Sequence, residues 1–183
     1  MSTYQIAVIV GSLRRESLNR MLANAIEKLE HSELSFKQLQ IGELPLYNQD
    51  DDDNQAEPVK QLKLEIMSAH GILFVTPEYN RSIPGVLKNA IDHASRPHGQ
   101  NSWAGKPAGI VGVSSGVNGT ALAQQHLRNI LACLDVPTLG QPEMFIQFKD
   151  GLFDDCDNFG ENSKSFLQNW MNKYVSWVKK FAV

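Results

Sequence analysis

Two short segments hold the residue types that could do chemistry: Gly11-Ser12-Leu13-Arg14-Arg15-Glu16-Ser17-Leu18-Asn19 and Thr76-Pro77-Glu78-Tyr79-Asn80. The first suits a phosphate. Gly11 permits a tight turn where a side chain would crowd the chain or its ligand. Ser12, Ser17 and Asn19 offer side-chain hydrogen bonds, and Arg14 offers a fork that matches phosphate oxygens. A helix starting just after Ser17 would add unpaired N–H groups and the positive end of its dipole. The same residues also fit an ordinary strand-to-helix turn with a serine cap and a solvated arginine. The spacing matches neither G-x-x-x-x-G-K-[ST] nor G-x-G-x-x-G, which argues against a P-loop and a Rossmann dinucleotide loop.

The second segment is stiff, because Pro77 has a fixed φ and no N–H. Backbone groups near Glu78, Tyr79 and Asn80 can present donors and acceptors edge-on to a flat heterocycle. Tyr79 would border that ring or form part of a substrate floor, and Glu78 is read as supporting the loop rather than as a catalytic acid. A generic surface turn is the alternative. A third segment, Ser114-Ser115-Gly116-Val117-Asn118-Gly119-Thr120, is rich in small residues that let backbone approach a ligand, and it would flank the far side of the ring. A flexible strand-to-helix loop explains it equally well.

Each segment follows an apolar run. Ile6 to Val10, Gly71 to Val75 and Ala108 to Val113 are continuous rather than alternating, as in strands covered on both faces. Leu34 to Leu39 alternates and reads as a half-buried or edge strand, and a short fifth strand is expected within Pro137 to Phe148. Helical spacing appears from Ser17 to about Glu30, Pro58 to Ser68, Pro84 to Ala94, Thr120 to Leu134 and Ser163 to Phe181. Ser17 is the expected N-cap of the first helix. Alternating strands and helices predict a doubly covered parallel sheet with right-handed crossovers. Five strands suit the order 2-1-3-4-5 of a flavodoxin-like three-layer α/β fold, in one domain over 1–183. Loops at the carboxyl ends of neighbouring strands then face one crevice. A phosphate loop and a ring loop in one crevice suggest a mononucleotide, with FMN as first candidate.

The bulk numbers narrow the function classes. The chain has 183 residues, is 42% hydrophobic and 20% charged, and has a formal net charge of −3. That gives no electrostatic footprint for nucleic acid. No stretch approaches the ~18 apolar residues that a membrane helix needs. Met1 to Gln5 has no basic segment and Ile6 to Val10 is short for a signal sequence, so a cytoplasmic protein is expected. Cys133 and Cys156 lack metal-ligand spacing. Cys133 reads as a buried structural thiol, and Cys156 lies in a polar, acidic loop. Of the five histidines, His31 and His70 read as structural, whereas His93 and His98 bracket Arg96-Pro97 and are candidates for the crevice mouth. Asp50 to Asp53 reads as a solvated loop, because EF-hand spacing is absent. The aromatics of the last helix, Phe166, Trp170, Tyr174, Trp177 and Phe181, read as core.

At these loops the chain resembles the NADPH-dependent FMN reductase family, and within it the bacterial quinone, chromate and azo-dye reductases. The matching residues are Gly11-Ser12-Leu13-Arg14 with Ser17 and Asn19, Thr76 to Asn80, Ile83 to Asp92, Ala104 to Pro107, and His126-Leu127-Arg128. The resemblance spans nearly the whole chain. It implies a flavodoxin-like fold, bound FMN, and a homodimer or homotetramer. Carried over by position, Ser12, Arg14, Ser17 and Asn19 would hold the phosphate. Pro77, Glu78, Tyr79 and Asn80 would line the isoalloxazine, and Ser114, Ser115 and Gly116 would approach it from the third loop. Lys88, Asn89 and Asp92 are assigned to packing or the subunit interface. Arg81 departs from the aromatic or small residue usual in the family at a position near the ring and the subunit contact.

The resulting expectation is an oxidoreductase that passes a hydride from NAD(P)H to FMN and then to a quinone or a related small-molecule acceptor, in ping-pong order. No metal and no dedicated acid–base residue are required, because the redox chemistry belongs to the flavin. Azo, nitro and chromate reduction can follow from the same exposed reduced ring. Two alternatives stand beside it: a flavodoxin-type electron carrier, disfavoured by the modest net charge and the different phosphate loop, and a flavin-free binding module.

Overall fold

The apolar runs become five strands: β1 (Tyr4–Val10), β2 (Leu34–Gln38), β3 (Gly71–Val75), β4 (Ala108–Ser114) and β5 (Phe145–Gln147). The computed structural model describes residues 3–154, 156 and 158–181. All strand pairs are parallel, and the order across the sheet is β2-β1-β3-β4-β5. The helices are α1 (Leu18–Glu27), α2 (Glu57–Ser68), α3 (Gly85–Ala94), α4 (Ala121–Cys133) and α5 (Glu161–Phe181). This is the expected flavodoxin-like arrangement, with the alternating segment as the edge strand β2.

Continuous apolarity in the inner strands is explained by two cores. Successive strand side chains point to opposite faces. Ile6, Val8 and Val10 join Leu73, Val75, Val111 and Val113 beneath α1 and α5, where Leu22, Ile26, Trp170, Tyr174 and Val178 meet them. Ala7 and Ile9 join Ile72, Phe74, Ala108 and Ile110 beneath α2, α3 and α4, where Leu62, Ile66, Leu87, Ile91, Leu127 and Leu131 complete the packing. Tyr174 is fully buried, donates its hydroxyl to Ile72 O at 2.8 Å, and has its pKa pushed well up by desolvation. Lys106 closes the other end of the sheet. Its ammonium donates to the Met67 and Ala69 carbonyls at 2.8 and 2.6 Å, at the C-terminus of α2, and burial lowers its pKa.

Three expectations are corrected. Cys133 is exposed, not buried. α4 turns Leu127 and Leu131 inward, and Cys133 lies about 200° around the helix from Leu131. Phe166 is exposed, whereas Leu167, Trp170 and Tyr174 face the core. His93 is buried about 12 Å along α3 from its start at Gly85 and not at the crevice mouth. Its Nε2 lies 2.8 Å from Pro45 O and its ring packs edge-on against Tyr47, so it anchors the loop after β2. Asn89 anchors the same loop, donating to Pro45 O and accepting from Tyr47 N at 2.8 Å each. Asp50 to Asp53 lie in a short 3₁₀ helix, Gln49–Asn54, capped by Asn48. Among the described residues no helix is long and apolar enough to cross a membrane.

Gly112 is the glycine on which the carboxyl end of the sheet closes. A Cβ there would fall on Thr120 Oγ1 and the Thr76 carbonyl oxygen, closer than real Cβ contacts occur. Gly112→Ala is therefore expected to destabilise the chain by at least about 3 kcal/mol in urea unfolding. Gly85→Ala, with nothing within 4 Å of its Cβ, should stay within about 0.5 kcal/mol of the parent or gain slightly. Equal unfolding midpoints for the two variants would contradict this packing.

Candidate functional site

The sheet ladder continues one residue past β1 and β3 and then opens. Gly11 N donates to Val75 O at 2.9 Å and Thr76 N donates to Val111 O at 3.0 Å. The first two loops thus leave the sheet at one level, side by side, and β4 runs on past them to Ser114. Where β3 no longer pairs with β4, Val113 would keep an unpaired peptide group. Asn19 fills that gap from the first turn of α1. Its Nδ2 donates to Val113 O at 2.8 Å, and its Oδ1 accepts from Val113 N at 3.0 Å. The carboxamide stands in for a strand peptide, and Asn19 is 2% exposed. Its side chain is thereby turned to β4, so its contribution to the first loop is to fix the start of α1.

The first loop has the makings of an anion cradle. Ser17 caps α1, its Oγ accepting from Arg20 N at 3.3 Å. Among the described residues, no backbone N–H from Ser12 to Asn19 has an intramolecular partner. The run is buried at Ser12, Ser17 and Asn19 and open at Leu13 to Glu16, and free N–H groups so placed at a helix N-terminus suit an anionic acceptor. Ser12 and Ser17 are both buried against this run. The Arg20 guanidinium donates to Ser12 O at 3.4 Å and holds the loop's first turn. Arg14 is 69% exposed and lies 3.8 Å from the equally open Glu16 carboxylate, a pair that solvent screens and an incoming phosphate can displace.

The second loop is a two-residue hairpin. Tyr79 and Ser82 exchange backbone hydrogen bonds, 2.9 Å each way, across Asn80 and Arg81. Both tip residues have positive φ, 50° and 63°, the signature of a type I′ turn. Asparagine tolerates that region. Arginine does so at a cost of roughly 1 kcal/mol or more. The hairpin is rooted in α4. Glu78 Oε2 accepts from Leu122 N at 2.9 Å and Ala123 N at 3.0 Å, while Thr120, the residue at the cap position, makes no side-chain cap bond. Ser82 Oγ lies 3.0 Å from His126 Nδ1. Glu78 is therefore a helix cap supplied from another loop, in line with a supporting role. The N–H groups of Glu78 and Asn80 are left without intramolecular partners among the described residues.

In the third loop Ser114 Oγ donates to Gly119 O, which curls the segment, and Ser115 and Gly116 are exposed. Each loop exposes one apolar side chain: Leu13, Tyr79 and Val117. Free N–H groups at one end of the crevice and apolar rims around it fit a ligand with one phosphate and one flat ring. The structure brings Ser12, Arg14, Ser17, Pro77, Glu78, Tyr79, Asn80, Ser114, Ser115 and Gly116 to this carboxyl edge. It places the Asn19 side chain beneath it. Sequence reasoning missed the Asn80-Arg81 turn, for which the Asn in second-last position before Ser82 was the only signal. It also missed the cross-loop cap on α4, which has no local signature. Among the described residues no cluster of three or more His, Cys, Asp or Glu could hold a metal ion.

Comparison with known proteins gives the family. The family model for NADPH-dependent FMN reductase matches residues 4–151. A 2-hydroxy-1,4-benzoquinone reductase from Burkholderia sp. is 51% identical over 176 residues, covering 96% of both chains. A quinone reductase from Pseudomonas putida is 46% identical over 177 residues, covering 96% of this chain and 95% of its own. The solved structure of FerB, a flavoenzyme NAD(P)H:(acceptor) oxidoreductase from Paracoccus denitrificans, superposes with a TM-score of 0.95 at 43% identity, covering 99% of this chain and all of its own.

The two tethers make a stability prediction. Asn19→Ala strands the N–H and C=O of Val113 and should cost about 2–3 kcal/mol. Glu78→Ala removes the cap of α4 and should cost about 1 kcal/mol. Urea unfolding of both variants checks the pair; an Asn19→Ala midpoint equal to the parent's would refute the bridge to β4.

Proposed function

The chain belongs to the NADPH-dependent FMN reductase family, and from that membership we propose that it reduces quinones with electrons from NAD(P)H through FMN held at the carboxyl edge of the sheet. The fold and the family make it an NAD(P)H-dependent oxidoreductase with FMN as cofactor. Quinone as the acceptor is supported by the names of the relatives from Burkholderia and Pseudomonas putida. Overall, NAD(P)H, a proton and the quinone give NAD(P)⁺ and the hydroquinone. Bound FMN supplies the two-electron step between them, which the side chains do not perform.

What the chain supplies is position. The observation that carries the reading is the run of free N–H groups from Ser12 to Asn19 at the end of β1. These groups, with Ser12, Ser17 and Arg14, take the phosphate. Pro77 and the backbone of Glu78, Tyr79 and Asn80 meet the polar edge of the ring, and Ser114, Ser115 and Gly116 close on it from β4. Leu13, Tyr79 and Val117, the exposed apolar side chains of the three loops, would pack against the ring's apolar part. Glu78 supports this arrangement through α4 and moves no proton. With FMN bound, the solvent side of these loops would admit the nicotinamide and the quinone in turn.

The protein acts in the cytoplasm as a single domain and as a homo-oligomer. A shallow groove between α3 and α4, lined by Ile83, Lys88, Gln125, His126, Asn129 and Ile130, supports that assembly as the seat of a second copy. Lys88 and Asp92 pair at 2.8 Å on the same helix beside it. Ile130→Glu is expected to convert the assembled species to monomer by light scattering; an unchanged mass would place the contact elsewhere.

The central test has two parts. FMN-loaded protein should bleach on anaerobic addition of NADPH or NADH and recover its flavin absorbance on addition of a quinone. Bound FMN that neither nucleotide reduces would instead mark an electron carrier. Arg14→Ala should weaken FMN binding about 10- to 100-fold, read by flavin fluorescence, and change riboflavin binding little, because only FMN has the phosphate. An equal loss for both flavins would remove Arg14 from the phosphate site.

A further inference from the structure

Arg81 occupies the tip of the β3 hairpin at φ 63°, in the turn position most suited to glycine. It is exposed, and among the described residues its guanidinium makes no hydrogen bond and no ion pair. Its backbone strain therefore gains no compensating contact within the chain. Strain of this kind, kept where a simpler residue would fit better, points to function. The platform beneath it is fixed: Tyr79 and Ser82 are paired, Glu78 is bound to α4, and Ser82 meets His126. The surroundings are also biased in charge. The chain carries a net charge of −3, yet the loops after β1 and β3 carry Arg14, Arg15 and Arg81 against Glu16 and the helix-bound Glu78. A crevice walled by low-dielectric protein focuses such a field on what enters it.

We infer that Arg81 is a specificity-determining residue that recruits acceptors bearing a negative charge on or beside the quinone ring, such as ring-hydroxylated quinones, and favours them over neutral ones. A hydroxyl on a quinone ring is a vinylogous acid and is ionised at neutral pH. Its two oxygens match the planar fork of a guanidinium better than a point charge would. This inference rests on the quinone-reductase reading above and names the acceptor class of that site.

The test compares the FMN-loaded parent with Arg81→Gln, Arg81→Lys and Arg81→Gly. Acceptors are 2-hydroxy-1,4-benzoquinone as the anion and 2,6-dimethyl-1,4-benzoquinone as the neutral ring, at saturating NADH. Arg81→Gln should shift the ratio of the two kcat/KM values about tenfold toward the neutral quinone. Arg81→Lys should retain part of the preference, and Arg81→Gly should lose it while unfolding at higher urea, because the turn is relieved. Raising ionic strength from about 0.01 to about 0.15 M should lower kcat/KM for the anion in the parent and much less in Arg81→Gln. An unchanged ratio in Arg81→Gln, or a salt dependence that survives the substitution, would overturn the assignment. A parent enzyme that reduces neither quinone would overturn the acceptor reading itself, a result distinct from reduction of both without preference.

Discussion

The candidate site depends on one hydrogen-bonded bridge, the carboxamide of Asn19 against the peptide of Val113. β4 runs on to Ser114, past its last partner on β3 at Val111, and a strand that outruns its neighbour leaves buried peptide groups with nothing to bond. Water could satisfy them only by entering beneath the ligand. Asn19 satisfies them with protein instead and in doing so pins the first turn of α1 to the sheet. That turn is the one whose free N–H groups face the crevice. The dryness of the core below and the orientation of the anion cradle above thus share a single cause.

A second tether works in the same way from the other side. Glu78 lies in the loop after β3, and its carboxylate is turned to cap α4 across 44 residues of sequence. A carboxylate oxygen that accepts two backbone N–H groups at a helix N-terminus is committed to holding that helix. The chain therefore locks the loop after β3 with that loop's own acidic side chain. A flavin reductase needs this trade-off less than most enzymes would resist it, because the cofactor provides the reactive atoms and the protein contributes orientation and exclusion of water.

The two tethers leave the hairpin tip as the free variable of the site. Asn80 and Arg81 can differ in charge and size without touching the sheet, the cap or the phosphate loop. Selectivity among acceptors can then change at the tip while the cofactor cradle stays constant. On the proposed reading the loops at the carboxyl edge divide these duties along the sheet: the phosphate end after β1, the ring edge after β3, and the small-residue approach after β4.

Sequence alone determined the fold class, the strand order and the loops that meet at the site, because these follow from local rules. Continuous against alternating apolarity marks inner and edge strands, helical spacing marks the crossovers, and parallel order brings the loops after β1, β3 and β4 to one edge. It also placed Ser17 correctly as a cap, since capping involves neighbours three residues apart. Roles that depend on distant partners were decided only by the tertiary structure. Asn19 read as one polar residue among several in a phosphate loop, and only the offset between β3 and β4 shows where its amide goes. Cys133 and Phe166 sat in apolar runs whose outward-facing members are set by the angle at which a helix meets the sheet. His93 was one residue from the end of its helix in sequence but lies under the loop after β2 in space. The strained turn at Asn80 and Arg81 needs two hydrogen bonds that close only when the hairpin is held against α4. Composition and spacing carry what each segment is; which surface it turns to the crevice follows from contacts between segments that the chain order does not encode locally.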